Sequence, residues 1–401
     1  MMQRGHRLIQ MACFVAACLL LWPPPFWTSA PRFFVQISPF VALCANIAAR
    51  SIRIGAVIGL VVAIVGILRR RWFCKYVCPM GLLLEGAAKI GLKKNRWWIR
   101  WAPLGQYAAL LTVAGSIVGY PFFLWMDPLA LFGSAFSVRT AGSALYGILA
   151  GIGLVFLILL SLTSGAIWCA RLCPLGGLLD LVSLLKSLFK SKATPSGGKQ
   201  ESTSETWYAR AGRRSFLFVV IGAGLGWLSK RVGAARGESA PLRPPGAVPE
   251  SEFAGRCLRC GNCLRVCPSR IIRQDLGQAG ALGLLAPIVL YKDKYCLENC
   301  GACTQACPSG AIQSLTLNEK RRYAIGEALV DFEICALALG IMDCDACMRS
   351  CPFDAIGIHW DEVQYVSYPM VDRGKCNGCG ACEIACPVQG DKAIRVWKRT
   401  S

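Results

Sequence analysis

Apolar residues are distributed unevenly along this chain. Four long apolar stretches, roughly 8–22, 52–68, 103–123 and 144–165, fall within the first 190 residues. A helix needs about 20 apolar residues to cross the ~30 Å hydrocarbon core of a bilayer. The third and fourth stretches reach that length, and the first two would need help from flanking residues. The pattern predicts a four-span membrane α-helical bundle over 1–190. Residues 191–209 are polar and rich in small residues, which predicts a flexible linker. A short glycine-rich apolar run follows and ends at Leu228. Residues 241–401 form the last domain, with 191–240 joining the two.

Charge gives the bundle an orientation. Of the net +21, residues 250–401 contribute nothing, with 17 Lys/Arg against 17 Asp/Glu. Residues 1–249 hold the remaining 27 basic and 6 acidic residues. Arg4 and Arg7 precede the first stretch, nine Lys/Arg crowd residues 69–102, and only Arg139 lies in 124–143. By the positive-inside rule the N-terminus, residues 69–102 and residues 166–215 face the cytoplasm. This is the charge pattern of a multi-pass inner-membrane protein, not of a nucleic-acid binder. The chain is 54% hydrophobic, with a mean hydropathy of +0.45, in keeping with membrane spans. His6 and His359 are its only histidines and neither lies in a stretch, so membrane haem is not expected. No C-x-x-C-H occurs, so neither is attached haem.

The two halves of the bundle repeat each other. After the second stretch comes Trp72-Phe73-Cys74-x3-Cys78-Pro79-x-Gly81-x3-Glu85; after the fourth comes Trp168-Cys169-x3-Cys173-Pro174-x-Gly176-x3-Asp180. The outer loops echo as Ser38-Pro39-Phe40 and Asp127-Pro128-Leu129. A parallel repeat packs about an axis along the membrane normal. That axis would gather Cys74, Cys78, Cys169 and Cys173 on the cytoplasmic side, as a fifth metal centre, as redox dithiols, or as buried free thiols. Cys13, Cys18 and Cys44 lack the motif and read as packing residues. Asp127 is the only acid in the outer loops. It is either a proton acceptor at the membrane boundary or a turn residue before proline.

Cysteine organises the rest of the chain. Sixteen of 23 cysteines form four runs, each closed by proline: Cys257, Cys260, Cys263, Cys267; Cys296, Cys300, Cys303, Cys307; Cys335, Cys344, Cys347, Cys351; and Cys376, Cys379, Cys382, Cys386. Runs one and four follow C-x2-C-x2-C-x3-C-P. In that pattern three thiolates hold one 4Fe-4S cube and the fourth reaches the neighbouring cube. Disulfides do not require the proline, and zinc sites favour two C-x2-C pairs or Cys/His mixtures. Run two opens C-x3-C, and run three opens with Cys335 ahead of eight residues. Sixteen thiolates suffice for four cubes. Spacing leaves open whether run one pairs with run two or run four.

Arg213-Arg214 precede the apolar run ending at Leu228. A twin arginine there reads as a Tat-type export signal, which carries domains already folded. The alternatives are a short fifth span, or a segment lying on the membrane that leaves the last domain in the cytoplasm.

The four runs, the Cys335-x8-Cys344-Asp345-x-Cys347-x3-Cys351 variant and the twin-arginine leader resemble NapG/MauM-type ferredoxins. The first 190 residues, with their paired C-x3-C-P motifs, resemble NapH/MauN-type membrane proteins. The chain thus resembles a fusion of the two, with one departure: NapH-type proteins usually end in a cytoplasmic two-cube segment, and nothing like it lies between Cys173 and Arg213. The resemblance implies an α+β tandem bacterial ferredoxin-type domain on a membrane bundle. It also implies a quinone as substrate, with electrons passing from the quinol pool to a periplasmic cytochrome or reductase. MauM/MauN-type resemblance allows a second role, as a redox maturation factor for a periplasmic enzyme. A metal-handling role would leave the four runs unused. The expected location is the bacterial inner membrane, N-terminus cytoplasmic and ferredoxin domain periplasmic. Quinol is expected to react near Asp127, because a bilayer's thickness separates the cytoplasmic cysteines from the cubes.

Overall fold

A computed structural model of the chain describes residues 2–22, 30–51, 54–68, 71–91, 102–137, 144–191, 201–235, 241–363 and 365–399. Arg139 and much of the basic loop (69–70 and 92–101) lie outside the described residues.

The first half is helical and repeats itself. Helix α1 (Met2–Leu21) leads to α2 (Ala30–Gln36) and α3 (Pro39–Ala49), which meet at a 97° bend. Then come α4 (Ile54–Leu68), the short α5 (Trp72–Tyr76) and α6 (Pro79–Ile90). The second copy runs α7 (Leu104–Val118), α8 (Pro128–Ala135), α9 (Ala144–Ser164), a π-helical turn at Trp168–Leu172, and α10 (Pro174–Ser191). Each copy closes its C-x3-C turn with the same bond: Cys78 N–H donates to Phe73 O at 3.0 Å, and Cys173 N–H to Trp168 O at 2.8 Å. Pro79 and Pro174 then open α6 and α10, where the missing N–H costs nothing.

Helices form where the apolar pattern places them, but their lengths do not by themselves make four spans. α4 and α7 have 15 residues each, about 22 Å of helix against a core of ~30 Å. Among the described residues, one stretch, Ser215–Ala234, is long and apolar enough to cross a membrane; the bent pair α2–α3 makes a second if taken as one span. Residues 30–49, expected as outer loop, instead fold inward, burying Phe34, Phe40 and Val41. The physical reason is that the segment is itself apolar and is broken only at Pro39.

Ser215–Ala234 belongs to α11 (Glu201–Ala235). Of the expected linker, residues 192–200 lie outside the described residues and 201–209 are helical. α11 packs along α7. Tyr107 stacks on Phe218 with ring centroids 4.2 Å apart. A Cβ on Gly222 would lie 2.7 Å from the Leu111 carbonyl oxygen, and one on Gly226 3.3 Å from Gly115 Cα. Two glycines four apart let the helix backbones approach closely, as in membrane helix pairs. The apolar run after the twin arginine is thus a packed helix of the bundle.

The second half is built of small modules. In order come α12 (Glu250–Arg256), α13 (Asn262–Val266), β1 (Ile272–Gln274), α14 (Gly280–Gly283), β2 (Pro287–Val289), α15 (Ala302–Ala306), α16 (Leu317–Arg322), β3 (Glu327–Val330), α17 (Ala346–Arg349), β4 (Ile356–Asp361), β5 (Val366–Val371), α18 (Ala381–Ala385) and β6 (Ile394–Trp397). The strands form three antiparallel pairs, β1–β2, β3–β6 and β4–β5. Two apolar cores result. One, around Phe253, Ile271 and Val289, includes Cys257, Cys263 and Cys303; the other, around Ile356, Ile394 and Val396, includes Cys335, Cys382 and Cys386. The cysteines are therefore core residues here.

The two halves touch. Arg256 donates to Ala48 O at 2.5 Å, Gln36 Nε2 to Pro308 O at 3.2 Å, and Arg265 to Leu21 O at 3.4 Å. Arg259 lies over the Trp125 ring. One apolar core takes in Phe40, Phe73 and Leu129 together with Leu258 and Cys260. The ferredoxin half therefore rests on the segments that the charge count assigns to the outer side.

Candidate metal centres

The sixteen cysteines of the four runs line four hollows, four cysteines to each. Hollow I is lined by Cys257, Cys260, Cys263 and Cys307; hollow II by Cys267, Cys296, Cys300 and Cys303. Hollow III is lined by Cys351, Cys376, Cys379 and Cys382; hollow IV by Cys335, Cys344, Cys347 and Cys386. In each, three cysteines come from one run and the fourth from another. Run one exchanges its last cysteine with run two, and run three with run four, which answers the pairing that spacing left open. Cys335 stands in hollow IV despite its eight-residue offset.

The residues present fit a 4Fe-4S cube in each hollow. The four are similar in size, about 300 to 430 Å³, and otherwise lined largely by apolar groups. No cysteine is in a disulfide. Among the described residues no three or more His, Cys, Asp or Glu are placed to hold a single metal ion. Burial is the first cause that pushes Cys347 and Cys379 up to about 11 and Cys260 up to about 12. Such thiols stay protonated until a cationic guest takes the sulfur, so loading releases protons and adds folding free energy.

The local chain explains the arrangement. The last cysteine of each run precedes a proline, leaves its short helix with an extended backbone in runs one, two and four, and heads for the neighbouring hollow. Gly378 and Gly380 hold positive φ of 71° and 85°, and a Cβ on Gly380 would sit 2.5 Å from the Tyr291 ring. Tyr291 donates its hydroxyl to Gly378 O at 2.6 Å, and Cys296 N–H donates to Cys379 O at 2.9 Å. These contacts join the run-two side of hollow II to the run-four side of hollow III. The hollows thus form a row, I–II–III–IV, with I against the helical first half. Tyr291 carries no motif, and sequence reasoning did not single it out.

In the helical first half the repeat brings Cys74, Cys78, Cys169 and Cys173 within electrostatic reach of one another. Arg71 ties the copies together: it donates to both carboxylate oxygens of Asp180, at 3.0 and 2.5 Å, and to Cys169 O at 3.2 Å. Gly81 is required because a Cβ there would meet Cys74 O at 2.7 Å. Asp127 is fully buried. Its Oδ1 accepts from Leu129 N–H (2.9 Å) and Ala130 N–H (3.2 Å), capping α8, and its Oδ2 accepts from Ser38 Oγ at 2.5 Å. Ser38 caps α3 in turn. The two echoing outer motifs thus meet. Burial pushes the Asp127 carboxyl up to about 6, offset in part by Ser38 and the backbone donors. Cys173 also lies within electrostatic reach of Asp127, so the bilayer-thick separation expected between the C-x3-C cysteines and the loop that carries Asp127 does not hold here, because α3 and α8 fold into the core. Cys44 is buried in that same core.

Comparison with known proteins agrees with this geometry. A family model described as a 4Fe-4S dicluster domain matches residues 256–335 and 342–389. A second, a 4Fe-4S binding domain, matches 52–97 and 146–192, the segments with the paired C-x3-C-P motifs. The class is therefore an iron–sulfur, ferredoxin-type electron-transfer protein. The "Methylamine utilization ferredoxin-type protein MauM" of Methylorubrum extorquens is 37% identical over 186 residues, 44% of this chain and 81% of the relative. The MauM of Paracoccus denitrificans is 35% identical over 170 residues, 39% of this chain and 71% of the relative. The "Ferredoxin-type protein NapG" of Escherichia coli is 33% identical over 201 residues, 46% and 85% respectively. The chain belongs to this MauM/NapG family of ferredoxin-type proteins. No solved structure matches it.

Proposed function

We propose that this chain is a membrane-bound electron conduit that accepts electrons from quinol and delivers them to a redox protein beyond hollow IV. Bound in the hollows, 4Fe-4S cubes supply one-electron redox chemistry. The chain's own residues hold them in a row, keep them in apolar surroundings and set one end of the row against the membrane half. That row is the observation that carries the reading. Several features support a membrane anchor of NapH/MauN type with four or five spans: the internal repeat, the 4Fe-4S binding-domain match over it, the charge asymmetry, and apolar side chains left exposed on the bundle, such as Leu19, Ile64, Phe156 and Val220. Contact of the ferredoxin half with the outer segments favours its lying outside the inner membrane, either by Tat export or because α11 is a fifth span. Asp127 and Ser38 are the proposed proton-holding pair for quinol oxidation. Cys74, Cys78, Cys169 and Cys173 are the proposed fifth redox or metal site.

Anaerobic purification with iron and sulfide counting is the test, followed by quinol-driven reduction monitored by EPR. About sixteen irons per chain are expected from the four hollows, and about twenty if the membrane cysteines bind a further cube. A count near eight in undamaged protein would sink the four-cube reading. A second reading, supply of electrons during maturation of a periplasmic enzyme, is favoured by relatives that carry the methylamine-utilization name. It predicts that deletion leaves respiration intact while one periplasmic enzyme accumulates without its finished cofactor.

A further inference from the structure

Hollow IV is the far end of the row, and its surroundings differ from those of the other three. Eight residues separate Cys335 from Cys344, where the other runs use two or three. The extra chain does not enlarge the core at its tip: Leu339, Ile341 and Met342 are exposed, Ile341 at 71%. The β4–β5 hairpin borders the same hollow through Pro369, and Phe332 meets its Tyr368 edge-on at 5.6 Å. At the hairpin's tip Trp360, Val363 and Tyr365 stand out, Val363 at 87% and Tyr365 at 76%. Large apolar side chains exposed together mark an interaction surface.

Charge selects the occupant. Residues 331–362 carry seven Asp/Glu and one Lys/Arg, Arg349, which pairs with Asp345 at 2.7 Å. Asp331, Glu333, Asp343, Asp354 and Glu362 are exposed. The opposite end is basic: residues 256–273 hold five arginines and no acid, and Arg256 and Arg265 are engaged with the membrane half. Lys392 and Arg395 lie on the segment that brings Cys386 to the same hollow, but Lys392 donates to Cys386 O and Arg395 pairs with Asp391, so the row runs from a basic end already covered to an open end where acids outnumber bases. Anionic lipid and a second copy of this lobe share its sign and are repelled.

We propose that the acidic lobe around hollow IV is the docking surface for a one-electron carrier protein whose redox centre is ringed by Lys and Arg. This rests on the electron-conduit reading. The exposed acids steer the carrier, and the apolar studs hold it briefly, the design of a small transient interface.

The test uses the full chain, loaded and reduced with dithionite without oxygen, and mixed with ferric cytochrome c, a cationic haem protein, as probe. One electron passes from the reduced chain to the haem, which becomes ferrous; no proton moves. The bimolecular rate is expected to fall about tenfold or more between roughly 10 and 200 mM salt. Asp343→Lys with Glu362→Lys should lower the low-salt rate by about tenfold and leave the high-salt rate within about twofold. Ile341→Ser with Tyr365→Ser should slow both several-fold. Iron content, EPR spectra and oxidation by a neutral benzoquinone should stay unchanged in every variant. A loaded chain whose cytochrome rate ignores salt and these substitutions would overturn the docking surface alone. So would a dimer that the Ile341 and Tyr365 variant dissociates while the cytochrome rate holds. A chain that binds no iron, or that benzoquinone cannot oxidise once reduced, would overturn the conduit and this proposal together.

Discussion

A buried carboxylate needs partners for its oxygens, and Asp127 has them in two backbone N–H groups at the start of α8 and one serine. Its pKa of about 6 lies above the ~3.9 of an unfolded Asp. The fold therefore binds this proton more tightly than the unfolded chain does. Its contribution favours the fold as pH falls from about 6 towards about 4 and opposes it at higher pH. Asp127→Asn should accordingly raise the melting temperature more at pH 8 than at pH 5, measured on the purified chain in detergent. The same variant should slow quinol-driven reduction while iron content holds; full quinol activity would remove Asp127 from proton transfer and leave it a cap. Asp127→Ala, which also loses the cap, should cost about 1 kcal/mol or more. Sequence reasoning found Asp127 because it stood alone among outer-loop acids. It could not find Ser38 as the partner, since 89 residues separate them and only the folded repeat brings them together.

Elements were legible where periodicity or motif was strong and illegible where a short segment changed role. Cys335 shows the limit: its spacing is irregular, yet β3 pairs with β6 and places it opposite Cys386 in hollow IV. Cys335→Ser should remove or convert the guest of that hollow, a loss of up to about four irons, with the EPR signals of hollows I and II retained. Loss from hollow I instead would contradict the pairing. The apolar run after Arg213-Arg214 has the length of a signal core when read from its flanks, and the structure extends it into α11. Gly222→Leu should overpack the α7–α11 contact and cost roughly 1–3 kcal/mol, seen as a lower melting temperature. Gly224→Ala, facing open space, should be silent; equal effects from both would mean that α11 does not pack on α7.

At the scale of the molecule, a basic bundle and a neutral, cysteine-rich domain meet through arginine side chains and backbone carbonyls. If the ferredoxin half lies outside, a reporter active only in the periplasm and exportable when folded should be active when fused after Ser401. Replacing Arg213 and Arg214 by lysine should silence it if Tat carries the domain and leave it active if α11 is a plain span. Activity of a cytoplasm-only reporter at the same point would reverse the topology. The sequence alone determined the four cysteine runs, the iron–sulfur class, the repeat and the direction of its charge. Each of these is set by local spacing or composition and survives without knowledge of contacts. The tertiary structure decided which runs exchange their fourth cysteine, that Cys335 joins them, that the two echoing motifs meet at Ser38 and Asp127, and which end of the row faces the helical first half. Those are choices among partners far apart in the chain. Spacing cannot rank them, because the free energy that selects one lies in cores and interfaces that exist only once the chain has folded.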